Sequence, residues 1–140
     1  MESLSADRLH RIALTGLRLA LATAFLSSVA GRLGLWGSYG SGWAGFVKYT
    51  GSVNWYLPAA AIPEIAIAAT VLETTFGLML LTGWQLRRAA MGSACLLTLF
   101  ALAMFSGNPK SPFDYSVFTA AFGALCLATQ PSEQSGGVGL

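Results

Sequence analysis

Residues 63–83 read PEIAIAATVLETTFGLMLLTG, an apolar run with a carboxylate, Glu73, near its centre. A helix of about 20 apolar residues is long enough to cross the hydrocarbon core of a bilayer. A charged side chain at that depth is costly unless it is paired, protonated or turned toward the protein interior. The run therefore predicts a membrane-spanning helix, and Glu73 is the first candidate for a functional residue.

The composition of the whole chain agrees with a membrane protein. Only 10% of the 140 residues are charged and 54% are hydrophobic, whereas ordinary soluble domains have about 25% charged residues. Three further apolar runs, residues 12–33, 89–106 and 113–129, are continuous rather than alternating in polarity, which predicts helices and not a membrane β-barrel. We expect residues 1–130 to form one all-α domain, an integral membrane four-helix bundle, and residues 131–140 to form a disordered tail.

The long connection between the first two runs is unusually aromatic. Trp43, Phe46 and Tyr49 recur at three-residue spacing, which predicts a short interfacial amphipathic helix between helices 1 and 2. Two interpretations of this helix stay open. It either anchors the protein in the interface as an aromatic belt or covers a ligand site as a lid.

The basic residues favour one orientation. In a protein with four spans, Arg8 and Arg11 share a side of the membrane with Arg87 and Arg88. By the positive-inside rule, this pattern places both termini in the cytoplasm. A cleaved signal peptide is the alternative for the first run, and Arg18 inside that run argues against it. The net charge of +2 without a basic stripe gives no support for nucleic-acid binding.

Small residues at four-residue spacing predict where helices pack closely in the membrane. Ala69 and Gly77 flank Glu73 by one turn on either side, so we expect Glu73 to face inward. The same spacing recurs on the first and fourth runs, at Ala20, Ala24 and Ser28, and at Ala120, Ala124 and Ala128.

Arg18 is the expected partner of Glu73, because it is the charged residue deepest within the first run. Three arrangements stay open. The two side chains form a direct ion pair, or they have separate polar roles with water or a ligand between them, or a protonated Glu73 hydrogen-bonds to Thr70 or Thr74.

Arg32 and Glu64 lie near the outer ends of the first two predicted spans. Both are either interfacial charges in water or parts of a polar mouth. In the second interpretation they join Trp43 and Tyr49 to receive a lipid headgroup, a quinone ring or a partner subunit.

The inventory of metal and redox ligands is small. His10 is the only histidine and precedes the first run, so ligation of haem by two histidines is excluded. The cysteines form no C-x-x-C motif, and no cluster has metal-ligand spacing. We expect no intrinsic cofactor and no metal site, and no reaction carried by this chain alone. The catalytic residues are unknown.

The ordered motifs resemble the DoxX family of small four-helix membrane proteins over about residues 10–128. The motifs are residues 18–22, 25–26 and 31–33, the aromatic residues Trp43, Phe46 and Tyr49, then Pro63, Glu73, Gly77, Leu78, Leu81, Gly83 and Arg87. The chain departs from the family pattern at Arg32, where lysine is common, and at Phe76, where a second glycine is common.

The resemblance implies a subunit of a membrane-bound oxidoreductase in a bacterial-type inner (plasma) membrane. Such a system would be quinone-linked and concerned with sulfur or oxidative stress, with quinone as the cofactor. The implied partners are the bilayer, other membrane or peripheral redox subunits and further copies of the chain. The alternative is a non-enzymatic assembly, chaperone or structural subunit that binds another membrane protein. A small transporter built from several copies is a third interpretation.

Overall fold

A computed structural model describes residues 1–131, and within this range the chain is helical with no strand. The helices are α1 (Glu2–Arg32), α2 (Gly42–Val53), α3 (Ile62–Thr82), α4 (Leu86–Gly107), α5 (Ser111–Asp114) and α6 (Val117–Ala128). The all-α prediction is confirmed. A disordered tail was predicted at residues 131–140. The structure describes only Pro131 of this range, and the rest of the predicted tail lies outside the described residues.

Among the described residues, three helical segments are long and apolar enough to cross a membrane: Glu2–Arg32, Ala59–Thr82 and Leu86–Gly107. The first is longer than predicted, since its 31 residues rise about 46 Å. The predicted boundaries of the fourth run are wrong. Ser116 has a positive φ of 54°, which interrupts the helix between α5 and α6, so α6 keeps only 12 residues, or about 18 Å.

The four longer apolar helices pack side by side. α1 lies against α3 and α6, and α4 lies against the same two helices on the other side. Their shared core is built from large apolar side chains and alanines, among them Leu21, Phe25, Leu80, Leu96 and Leu127. Most of the remaining large apolar side chains of these helices are exposed and face outward, as expected where the surroundings are lipid.

Glycines set the distances between α3 and its neighbours. Gly77 packs against α1 so closely that a Cβ there would lie 2.9 Å from Cγ of Leu26 and 3.3 Å from Cβ of Phe25. On the other side of α3, the ring of Phe76 fills the space above Gly92 of α4, where a Cβ would collide with it. Both contacts fix the register of α3.

The predicted small-residue contacts are only partly correct. Ala69 and Gly77 are buried on α3, as are Ala124 and Ala128 on α6. On α1 the prediction is wrong, because Ala20, Ala24 and Ser28 are exposed. The buried face of α1 is instead the one that carries Leu14, Arg18, Leu21, Phe25, Val29 and Arg32.

The predicted aromatic helix is α2, and it closes one end of the packed helices. Its buried residues are Thr50 and Val53. Val53 is so close to Gly107 of α4 that a Cβ added to Gly107 would lie 2.9 Å from the Val53 Cα. Just after α2, Trp55 Nε1 donates a hydrogen bond to Ser106 Oγ at 3.1 Å. α2 is thereby tied to the end of α4, and it also packs on α1 and α3.

The contact at Gly77 gives a test of this packing. Gly77→Ala should lower the free energy of unfolding in detergent by about 1–3 kcal/mol, because the added methyl group overfills the α1–α3 interface. Gly16→Ala is the matched control on α1, since among residues 1–131 no atom beyond the adjoining backbone of α1 lies within 4 Å of a Cβ at Gly16, and it should be neutral or slightly stabilising. Equal effects of the two substitutions in thermal unfolding would contradict this register.

Candidate functional site

A buried ion pair joins α1 to α3. Arg32 is the last residue of α1 and Glu73 lies in the middle of α3. Arg32 Nη1 donates a hydrogen bond to Glu73 Oε2, and the two residues are only 7% and 3% exposed. The inward orientation expected of Glu73 is confirmed.

Three further residues surround the Arg32 guanidinium. Its Nη1 donates to Thr70 Oγ1 at 3.2 Å, and its Nη2 donates to Ser28 Oγ at 3.0 Å. Phe46 of α2 covers one face of the group, with 3.6 Å between Arg32 Cζ and the ring centroid. A cation over an aromatic face is attracted by the ring quadrupole, most strongly where water is excluded. The positive charge is thus held from α1, α2 and α3.

The direction of side chains along a helix explains why this pair forms. Side chains lean toward the N-terminus of their own helix. Because α1 and α3 run in opposite directions, Arg32 leans back along α1 while Glu73 leans toward the α2 end of α3. The packing of Gly77 against Leu26 places Glu73 about half a turn, or about 3 Å, before Arg32, so the two leaning side chains meet.

The expected pairing of Glu73 with Arg18 is wrong, since the carboxylate pairs with Arg32. Arg18 is also buried, on the same face of α1, but it lies fourteen residues before Arg32, or about 21 Å along the helix. The expectation assumed that the two helices begin and end level with each other. The Gly77 contact instead puts Arg18 level with the turn that follows α3.

Glu64, Trp43 and Tyr49 are not brought together with the ion pair. Glu64 is exposed in the first turn of α3, so it does not share a polar mouth with the buried Arg32. Trp43 and Tyr49 lie on the flanks of α2, 38% and 41% exposed. Partial burial raises the pKa of the Tyr49 phenol, and the nearby Tyr115 raises it further.

Phe46 and Ser28 are the residues of the site that sequence reasoning did not assign to it, whereas Thr70 was named only as a hydrogen-bond partner of a protonated Glu73. Phe46 belongs to the aromatic spacing that predicted α2, and it is the member of that set that covers Arg32. One sequence signal could have placed Arg32 in the site. Helical side chains tilt toward the N-terminus of their own helix, which directs Arg32 back along α1 toward the packed helices rather than past the end of α1.

A separate groove of about 520 Å³ lies on the outer surface between α4 and α6. Its lining is almost entirely apolar and includes Leu99, Phe118, Phe122 and the exposed Cys95. Within the part of the chain that the structure describes, the Cys95 thiol is the only ionisable side chain that lines it, and the groove is suited to apolar groups. We therefore place the candidate site at the ion pair, which combines a carboxylate, a guanidinium and two hydroxyls.

The site offers hydrogen bonds and a proton-carrying carboxyl group rather than metal ligation. Within residues 1–131, no three His, Cys, Asp or Glu side chains are grouped so as to hold a metal ion. A carbonyl or phenol group of a bound molecule could exchange hydrogen bonds with Arg32, Glu73 and the neighbouring hydroxyls.

A double-mutant cycle tests the assignment of the pair. Arg32→Met and Glu73→Met should each lower the free energy of unfolding by about 3–5 kcal/mol, because each leaves one buried charge without its partner. The double variant should recover most of that loss, since it removes both charges. The loss of unfolding free energy caused by Arg18→Met should instead add to the loss caused by Glu73→Met, with no recovery in the variant that carries both substitutions. Thermal unfolding in detergent measures all five variants, three single and two double, and recovery with Arg18→Met rather than Arg32→Met would contradict the assignment.

Comparisons with protein-family models, with curated proteins and with solved structures gave no match to this chain. Its function is therefore inferred from its own residues and their arrangement.

Proposed function

We propose that the chain is a DoxX-like membrane protein that serves as a subunit of a quinone-linked oxidoreductase in a bacterial-type inner membrane. The observation that supports this proposal is the meeting of three motifs of the resemblance in one cluster. Arg32 comes from the end of the first helix, Phe46 from the aromatic helix and Glu73 from the second apolar run, and Arg32 contacts both of the others. Separate motifs that converge on one buried site are expected of residues with a shared role.

The proposed topology has four crossings. α5 and α6, with the residues between them, form the fourth, and both termini lie in the cytoplasm. The antiparallel packing of α1 on α3 supports this arrangement, because it brings the start of α1 to the same end as the α3–α4 turn. Arg8, Arg11, Arg87 and Arg88 all belong to that end and are all exposed, in keeping with the positive-inside rule.

In this proposal the subunit shapes a quinone pocket and does not transfer electrons itself. Reduction of a quinone consumes protons, and a buried carboxyl group such as Glu73 is suited to relay them. Arg32 would hold that carboxylate in place and donate hydrogen bonds to a quinone carbonyl. A partner subunit would carry the redox cofactor and the substrate site.

Quinone binding tests the proposal. The purified protein in lipid nanodiscs should bind a short-chain 1,4-benzoquinone. Glu73→Gln should weaken binding about tenfold or more, because a neutral amide holds the donating Arg32 less firmly than the carboxylate does. Glu64→Gln is the matched control, because it makes the same change at an exposed position of the same helix. The absence of quinone binding by the unsubstituted protein would exclude the pocket.

An assembly or structural role is the alternative, and one observation favours it. On the exposed side of α1, the small residues Ala20 and Ala24 lie about one turn apart, beside the exposed Leu19. Small residues allow another membrane helix to approach closely.

The alternative makes its own prediction. Ala20→Leu should abolish co-purification of a partner membrane protein without changing thermal stability, because the new side chain meets no atom of the chain's own core. Glu73→Gln should retain the partner. Loss of the partner with Glu73→Gln and not with Ala20→Leu would favour the quinone pocket instead.

A further inference from the structure

The two terminal nitrogens of Arg32 donate hydrogen bonds in different directions. Nη1 donates inward, to Glu73 and Thr70, while Nη2 donates to Ser28 Oγ at 3.0 Å. Ser28 is exposed on α1. The guanidinium therefore connects the buried carboxylate to the outer surface of the protein through a single hydroxyl group.

Ser28 is exposed because α6 is short. Leu17 and Ser28 are eleven residues apart, close to three full turns, so they lie on the same side of α1. α6 covers this side at Leu17, since a Cβ on Gly123 would lie 3.1 Å from Leu17 Cδ1. From Gly123 to Val117, where α6 begins, the helix rises about 9 Å, whereas Ser28 lies about 16 Å beyond Leu17. α6 therefore stops about 7 Å short of Ser28.

The hydroxyl of Ser28 has a hydrogen to donate. Thr23, Thr70 and Ser93 each donate theirs to the carbonyl four residues earlier. Ser28 Oγ accepts from Arg32, and no acceptor for its own hydrogen is found among residues 1–131. At the edge of the hydrocarbon, where water is scarce, an unshared O–H group is costly. The position is therefore suited to an acceptor from outside the chain.

The depth of Ser28 indicates what kind of molecule supplies that acceptor. Trp36 Nε1 donates to both the carbonyl oxygen and Oγ of the adjacent Ser27, each at 3.1 Å. A tryptophan that is half exposed, as Trp36 is, marks the level of the lipid headgroups. Ser28 lies just within that level, where the polar end of a membrane amphiphile is found.

We infer that Ser28 and Nη2 of Arg32 form a sideways entrance to the ion-pair site, and that they bind an acceptor oxygen at the polar end of a membrane amphiphile. A quinone carbonyl and a phospholipid ester or phosphate oxygen share this chemistry. The inference rests on the proposed function in placing the ligand at the Arg32–Glu73 site. It adds the route of entry, which lies between α1 and the start of α6 and not through the α2 cap.

Two variants test the entrance in nanodiscs. Ser28→Ala removes the donor, and Ala24→Leu narrows the approach one turn away on the same side of α1. Both positions are exposed on α1, and Ser28→Ala also removes the hydroxyl that accepts from Arg32 Nη2. Each should weaken ligand binding about tenfold, the loss expected for one strong hydrogen bond. Thr23→Ala is the matched control, because Thr23 is exposed on α1 and donates to its own backbone.

The experiment has a quinone arm and a lipid arm. The first titrates a short-chain 1,4-benzoquinone, and the second uses native mass spectrometry to count phosphatidylglycerol molecules retained after transfer to detergent. Loss of either ligand in both variants but not in Thr23→Ala supports the entrance. If only the lipid is bound and lost, the entrance stands and the quinone function fails. If quinone binds equally to all variants, the function stands and the entrance is overturned. Retention of neither ligand by the unsubstituted protein overturns both.

Discussion

A guanidinium and a carboxylate removed from water set the strictest condition on this structure. Each ion loses several kcal/mol of hydration when it is buried, and attraction between the two charges offsets this only when the geometry is good and the remaining donors and acceptors are used. Arg32 meets that condition through Glu73, Thr70, Ser28 and the ring of Phe46. The end of α1, the centre of α3 and the position of α2 are therefore fixed by one pair of charges.

The pair also explains why the glycine on α3 matters. Arg32 reaches Glu73 only if α1 and α3 are close and in one register, and Gly77 allows both by packing its backbone against Leu26. A larger residue at position 77 would push α1 and α3 apart. Interhelical distance and electrostatic pairing are thus two aspects of the same contact.

Much of the fold followed from apolar length and spacing, whereas the partners of the site did not. The run around Glu73 predicted a buried acid, and the spacing of Trp43, Phe46 and Tyr49 predicted α2. Sequence could not show the offset between α1 and α3, because side-chain shape sets that offset. For this reason Arg32 was predicted to lie near the outer end of its span, and Arg18 was predicted to pair with the Glu73 carboxylate. The break at Ser116 was missed for a related reason, since a serine with positive φ carries no signal as clear as glycine or proline.

The contact between Phe76 and Gly92 shows how a large side chain of α3 is accommodated against α4. The phenylalanine ring occupies the volume that a side chain at position 92 would need, so the two positions divide one fixed space between α3 and α4. A chain with glycine at 76 would leave a void unless position 92 became larger, and a chain with alanine or leucine at 92 would have no room for the ring. During evolution the two sites should behave as one unit, with size gained at one balanced by size lost at the other.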